Sequence, residues 1–253
     1  MRLLRDWLES RTQNSGSRII LAADMAGPYD SRVQRAASLI TLLRESIVAV
    51  KLNWHLLLPY GVLGLRELTK LCSDADIPLI GDMKLNDIGS TNTEAAETLF
   101  SNGFDAVIAN PFVGYEGGIR DLLAKGREMN KGVILLVYMS HDGAKEGYGL
   151  KVGREPLYMN FARKAREWGV DGTVVSSKST SIIRRVRSVL RKEQLILSPG
   201  VGFQGGDGRN AIAAGSNYLI VGRSIIDTED PLRTVDELNR GLGLTSRSPG
   251  IDA

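Results

Sequence analysis

The chain has 253 residues, 43% hydrophobic and 24% charged, enough for one large α/β barrel or two small domains with a substantial core. Its formal charge of +3 arises from Lys and Arg interspersed with Asp and Glu, which argues against a nucleic-acid polymer as partner, and no run has the length and apolarity of a membrane span. One cysteine, Cys72, excludes an internal disulfide and a cysteine-based metal cluster and fits a reducing cytoplasm, with the thiol packed as a small hydrophobe.

The N-terminal stretch mixes charge with its apolar residues, unlike a signal peptide, and predicts a short amphipathic helix with Leu3, Leu4, Trp7 and Leu8 on one face. Arg18 to Asp24 is then a short apolar run ending in an acid, followed by a helical pattern from about Ser31 to Glu45 and a second strand, Ile47 to Lys51. A helix near Val62 to Ser73 leads to a third strand that begins at Ile77 and ends at Lys84. Further on, helices near 91–101, 118–129, 156–168, 180–191 and 209–214 alternate with strands at Ala106 to Ala109, Val133 to Val137, Gly172 to Val175, Leu195 to Leu197 and Tyr218 to Val221. A last helix spans about Pro231 to Arg240. Eight short β-rich runs alternating with helices favour a closed parallel (β/α)8 barrel, the TIM barrel, over an open sheet.

No polar linker or shift in composition divides the chain. The expected organisation is a helix and lead-in over 1–17, one barrel domain over 18–242 and a C-terminal tail over 243–253 without periodicity. The longest excursion, Ser140 to Gly153, follows the fifth strand and is a candidate lid.

In such a barrel the site lies at the C-terminal ends of the strands, so polar residues that end apolar runs are the candidates. Asp24, Lys51, Asp82, Lys84 and Ser140 meet that description. Side chains repeat on one face of a strand every second residue, which directs Asp82 and Lys84 together, and Asp87 falls just past the strand end. Charges of alternating sign are expensive to desolvate unless they pair with one another, as a network closing the strand end, or with a ligand. On the other side of the barrel, Ser198-Pro199-Gly200-Val201-Gly202-Phe203-Gln204-Gly205-Gly206-Asp207 and then Val221-Gly222-Arg223-Ser224 offer backbone N–H groups and a planar cationic fork suited to a phosphate dianion. His55 is expected to pack or cap among apolar neighbours, and His141 to anchor the lid beside Ser140. No His, Cys or carboxylate set has metal-ligand spacing, and no cofactor is expected.

Taken together, Asp82-x-Lys84-x-x-Asp87-Ile88-x-x-Thr91, the upstream Asp24 and Lys51, Met139-Ser140-His141 and the two Gly-rich stretches closely resemble orotidine 5′-monophosphate decarboxylase of the archaeal type, from about Arg18 to Ile225. The resemblance implies a cofactor-free carboxy-lyase that converts orotidine 5′-monophosphate to uridine 5′-monophosphate and CO2 in pyrimidine synthesis, working as a homodimer with shared sites. It implies a charged array of Lys51, Asp82, Lys84 and Asp87, with Asp87, Ile88 and Thr91 reaching into the partner's site. It further implies that Asp24 and Lys51 hold ribose hydroxyls, Ser140 the pyrimidine edge and Gln204 both base and phosphate, that Gly222 and Arg223 bind the phosphate, and that Pro199 lines the substrate site. Two other readings remain: a magnesium-dependent sugar-phosphate decarboxylase or aldolase on the same scaffold, which resembles this chain in its Asp-x-Lys-x-x-Asp run but places Glu where Lys51 stands, and a catalytically silent nucleotide-binding protein. Asp142 to Gly149 departs from the family's usual lid pattern, and Ser176-Ser177-Lys178-Ser179-Thr180 offers no residue with an assignable role.

Overall fold

The computed structural model describes residues 3–202 and 204–243. Helix α1 (Leu4–Ser15) precedes the strands β1 (Ile19–Ala22), β2 (Ala49–Asn53), β3 (Leu79–Leu85), β4 (Ala106–Ala109) and β5 (Gly132–Tyr138); β6 (Lys151–Val152) and β7 (Glu155–Pro156) form a small antiparallel hairpin, and β8 (Gly172–Val175), β9 (Leu195–Pro199) and β10 (Tyr218–Val221) complete the set. The eight long strands close into a parallel barrel in chain order, with β10 pairing back onto β1 through Leu21 and Val221. Around it run α2 (Arg32–Leu43), α3 (Trp54–Tyr60), α4 (Arg66–Asp74), α5 (Gly89–Ser101), α6 (Arg120–Met129), the single turn α7 (Ala144–Gly147), α8 (Leu157–Trp168), α9 (Thr180–Val189), α10 (Gly208–Ala213), α11 (Arg223–Ile226) and α12 (Pro231–Gly241).

The two-residue repeat of a strand divides the core in two. Ile19 and Leu21 of β1, with Val50, Leu52, Leu79 and Val107, pack outward against the helices. Ile20, Ala22, Ile80, Ala106, Ile108, Ile134, Leu136, Val174, Leu197 and Ile220 fill the barrel interior. Leu4 and Leu8 of α1 join the inner group and plug the barrel at the end where the strands begin. A Cβ placed on Gly132 would come within 2.8 Å of Leu4 Cδ2, so the glycine that starts β5 lets Leu4 pack closely against the strand. Arg11 of α1 fastens the plug by donating to the carbonyls of Arg44 and Ile47. Leu3, expected on the buried face, is instead 54% exposed, because the helix begins one residue after it.

Three elements differ from the sequence expectation. The strand predicted to end at Lys51 continues to Asn53 and turns directly into α3, whose N-terminus is capped by the Asn53 side chain accepting from His55 N at 2.9 Å. The long connection after β5 is partly ordered, into α7 and the β6–β7 hairpin. Gly222 leads straight into α11, so the end of β10 faces a helical turn. The predicted C-terminal tail lies outside the described residues from 244 onward.

Candidate functional site

Strand register delivers the charged side chains to one end of the barrel. Ala22 of β1 lies beside Lys51 of β2, and Asn53 lies beside Asp82 of β3. Asp24 follows β1 by two residues, and its approach is fixed by Ala23 N donating to Lys51 O at 3.0 Å. Lys51, only 3% exposed, sets its ammonium between two carboxylates: Nζ is 3.1 Å from Asp24 Oδ1 and 2.9 Å from Asp82 Oδ2. The other oxygen of Asp82 accepts from Lys84 Nζ at 2.8 Å. Asp24, Lys51, Asp82 and Lys84 thus form one chain of alternating charge.

Burial alone would lower the Lys51 pKa, but the carboxylates of Asp82 and Asp24 outweigh it and hold the ammonium above the ordinary lysine value. For Asp82 the desolvation that would raise its carboxyl is outweighed by Lys51 and Lys84, and the group sits below the usual carboxylate range. Both are therefore charged at neutral pH. Lys84 reaches its place through backbone strain: its φ is +48°, and the pairing of β3 with β4 slips between Gly81 and Leu85. A non-glycine residue in the left-handed region costs roughly 1–3 kcal/mol and persists where its surroundings over-determine it. The side chain is not simply two places along a flat strand from Asp82; a bulge re-aims it.

These groups form one wall of a cavity of about 550 Å³. Its floor is apolar, built from Ala22, Ile108, Leu136, Val174 and Ile220. On the other side of β1 from Lys51, the rim carries Gly222 and Arg223 after β10, Pro199 at the end of β9, and Gly200 and Gln204 beyond it, while Ser140 follows β5 on the side nearest the lid. Gln204 Oε1 is buried without a hydrogen-bond partner, an acceptor left open toward a ligand. Asp142, two residues past Ser140, pairs with Lys178 at 3.3 Å, which ties the lid segment to the loop after β8.

Of the twelve expected site residues, nine line this cavity: Asp24, Lys51, Asp82, Lys84, Ser140, Pro199, Gln204, Gly222 and Arg223. Asp87, Ile88 and Thr91 do not. They lie exposed at the start of α5, with Ile88 at 63%, and Asp87 Oδ1 accepts from Ile88 N at 2.7 Å. Their loop is rigid rather than frayed, because buried Asn92 donates to Asp87 O at 2.6 Å and accepts from Asp87 N at 3.1 Å. Of the packing or capping expected for His55, packing does not hold, since it is exposed and lines the cavity, whereas it does take part in the cap of α3, with Nδ1 2.8 Å from Asn53 Oδ1. Asn53, Arg35 and Asp227 also line the cavity and were missed, and Met139, quoted above only for the stretch it shares with Ser140, lines it too. Asn53 was within reach of the rule that collected Lys51, since it too is a polar residue ending a strand. Arg35 projects from α2 and donates to Ala26 O at 2.7 Å, a placement that helical periodicity does not announce.

Among the described residues, no group of three or more His, Cys, Asp or Glu side chains is placed to hold a metal ion. The two carboxylates nearest one another across the cavity wall, Asp24 and Asp82, already share the Lys51 ammonium, which occupies and repels the position a divalent cation would need.

Residues 17–238 match the family described as Orotidine 5′-phosphate decarboxylase / HUMPS family. The orotidine 5′-phosphate decarboxylase of Thermococcus kodakarensis is 36% identical over 215 residues, which cover 85% of this chain and 92% of that one. An orotidine 5′-monophosphate decarboxylase from Methanocaldococcus jannaschii, solved in complex with the inhibitor BMP, superposes with a TM-score of 0.77 at 26% identity over 89% of this chain and 98% of that one. The UMP synthase of Leishmania donovani superposes with a TM-score of 0.84 at 26% identity; the match covers 96% of this chain but spans only 56% of that protein.

Proposed function

The chain belongs to the orotidine 5′-phosphate decarboxylase / HUMPS family, and we infer from its cavity that it decarboxylates orotidine 5′-monophosphate to uridine 5′-monophosphate and CO2. The observation that carries this reading is the alternating array of Asp24, Lys51, Asp82 and Lys84 in the same cavity as Gln204 and Arg223 of the β9–β10 rim. A nucleotide whose phosphate meets Gly222 and Arg223 lays its base over the apolar floor, with Ser140 at the pyrimidine edge and the reacting carbon toward Lys84. Asp24 and Lys51 take ribose hydroxyls. Gln204, its carbonyl oxygen unsatisfied, bridges base and phosphate.

The chemistry explains the charges. Loss of CO2 from C6 leaves an electron pair in the plane of the ring, where the π system cannot delocalise it, so the enzyme must supply stabilisation toward the upper part of the ~8–23 kcal/mol range typical of catalysts. The Lys84 ammonium, fixed by Asp82 at 2.8 Å, stabilises charge developing at C6 more than it stabilises the departing carboxylate, and then delivers a proton to C6. Asp82 aims the Lys84 side chain, while Lys51 keeps Asp82 ionised beside it. Phosphate binding at the β9–β10 rim, away from the reacting carbon, supplies remote binding energy for closing the lid over the ring.

Asp87, Ile88 and Thr91 complete the site from the partner of a homodimer. Their rigid, exposed position at the start of α5 and the 63% exposure of Ile88 support that reading. Because Asp24 and Arg223 come from opposite ends of the sequence, residues 18–242 act as one catalytic unit, with the helix within 1–17 as its base. The lone buried thiol of Cys72 supports a cytoplasmic location, and among the described residues no helix is long and apolar enough to cross a membrane.

Purified protein is expected to release CO2 from orotidine 5′-monophosphate at an undiminished rate with a metal chelator present. Activity that depends on added magnesium, or that appears only with a ribulose or gulonate phosphate, would establish the sugar-phosphate reading instead. Nucleotide binding without turnover would leave a silent binding protein.

A further inference from the structure

The segment Ser176 to Thr180, after β8, has no part in the mechanism above, yet it meets the loop that carries Gln204. Ser177 is 2% exposed. Its hydroxyl donates to Pro199 O at 2.9 Å, and its backbone N–H donates to the same oxygen at 2.9 Å. Pro199 is the last residue of β9 and the first of the loop that reaches Gln204. Beyond it the chain folds back on itself: Gly206 N donates to Gly200 O at 2.9 Å, and Gly202 N donates to Gly206 O at 3.0 Å.

The Ser177 hydroxyl sits within this turn. A Cβ at Gly206 would overlap it, and a Cβ at Gly200 would lie 3.4 Å from it. That same Cβ at Gly200, where φ is +97°, would stand 2.9 Å from Gln204 Oε1 and 3.2 Å from Ser140 Cβ. Gly200 is thus a one-residue-thick partition, with the Ser177 hydroxyl and the Gln204 carboxamide both against it. The hydroxyl grips the start of the loop and fills the space under its end, while the open acceptor of Gln204 lies over the middle.

We propose that Ser177 is a positioning residue for nucleotide recognition: by anchoring Pro199 and filling the turn closed by Gly200 and Gly206, it fixes where Gln204 presents its carbonyl oxygen to the ligand. It touches no substrate atom and acts through Gln204. This rests on the nucleotide reading of the cavity. Without the hydroxyl the loop keeps its backbone bonds but loses one anchor, so the Gln204 side chain is less well held for binding.

The test is a double-mutant cycle on the full chain: wild type, Ser177→Ala, Gln204→Ala and the pair. Each is measured by steady-state turnover of orotidine 5′-monophosphate, by calorimetric titration with uridine 5′-monophosphate and by melting temperature. Ser177→Ala is expected to raise KM and the Kd of uridine 5′-monophosphate about fivefold, the worth of one neutral hydrogen bond. Its kcat is expected to stay within about twofold of wild type and its melting point within about 3 °C. The pair should bind no more weakly than Gln204→Ala alone, because Ser177 has nothing to act through once Gln204 is gone. An unchanged KM and Kd in Ser177→Ala, a lowered melting point as its sole effect, or losses that multiply in the pair would each overturn the proposal. Wild type that binds uridine 5′-monophosphate but does not turn over would sink the decarboxylase reading alone, since the binding cycle still decides the role of Ser177. Wild type that does not bind the nucleotide overturns both.

Discussion

Replacing Lys51 by Met keeps an unbranched side chain one atom shorter and removes its charge, which exposes how much of the barrel mouth depends on that ammonium. In the native protein Nζ neutralises Asp82 at 2.9 Å and Asp24 at 3.1 Å from a position only 3% exposed. Deleting one partner of a buried ion pair costs about 3–5 kcal/mol. The lower end applies here, because Asp82 keeps Lys84 at 2.8 Å and the Asp24 side chain, 30% exposed, recovers some hydration. A loss of about 3 kcal/mol lowers the melting temperature of a chain this size by about 6–12 °C.

The pH dependence of the effect has a definite sign. The Asp82 carboxyl lies below its ordinary value, so the stability it contributes is present above about pH 3.9 and lost as pH falls through its folded value. Lys51 lies above its ordinary value, so its contribution is present below about pH 10.4 and lost as pH rises through its folded value. Calorimetric or circular-dichroism melting of wild type and Lys51→Met should therefore show the full gap near neutrality and a narrowing gap as pH falls below the carboxylate range, where protonation of Asp82 removes the need for a counter-charge. An unchanged melting temperature near pH 7, or a gap that widens in acid, would refute the claim that Asp24, Lys51 and Asp82 form a mutually dependent buried array.

Subunit mixing tests the shared site: Lys84→Ala and Asp87→Ala homodimers should each be inactive, and a randomly exchanged mixture should recover about one quarter of wild-type activity, since half the dimers then carry one intact site of two. No recovery after confirmed exchange would remove Asp87 from the partner's site. Gly206→Ala should weaken uridine 5′-monophosphate binding about tenfold or more, because its Cβ would overlap Ser177 Oγ and come within 2.5 Å of Gly200 O; unaltered affinity in a titration would show that the loop yields freely.

The barrel was legible because most of its strands are short apolar runs such as Ile19–Ala22, Ala106–Ala109 and Tyr218–Val221, set at regular intervals between helical patterns. Asp24, Lys51, Asp82 and Lys84 were found by their place at strand ends, though the reason given for the last pair was incomplete. Simple alternation directs Asp82 and Lys84 to one face, whereas the chain reaches that result through a slipped β3–β4 register and a left-handed φ at Lys84, which no pattern of residue types announces. Helix α3 was hidden by Pro59 near its end, although Asn53 two residues before His55 is a recognisable cap. The exposure of Leu3 turned on a helix start one residue later than its apolar pattern suggested. Ser177 was invisible for a different reason: its contacts at Pro199, Gly200 and Gly206 lie more than twenty residues away and form only once β8 and β9 are side by side.

The central claim is that Lys84, held by Asp82, acts on the reacting carbon while the phosphate is gripped across the cavity. Its most direct test is Lys84→Ala, with turnover of orotidine 5′-monophosphate and affinity for uridine 5′-monophosphate measured on the same preparation. Turnover should vanish while the nucleotide still binds through Gly222, Arg223 and Gln204. Retained decarboxylation in that variant would contradict the account.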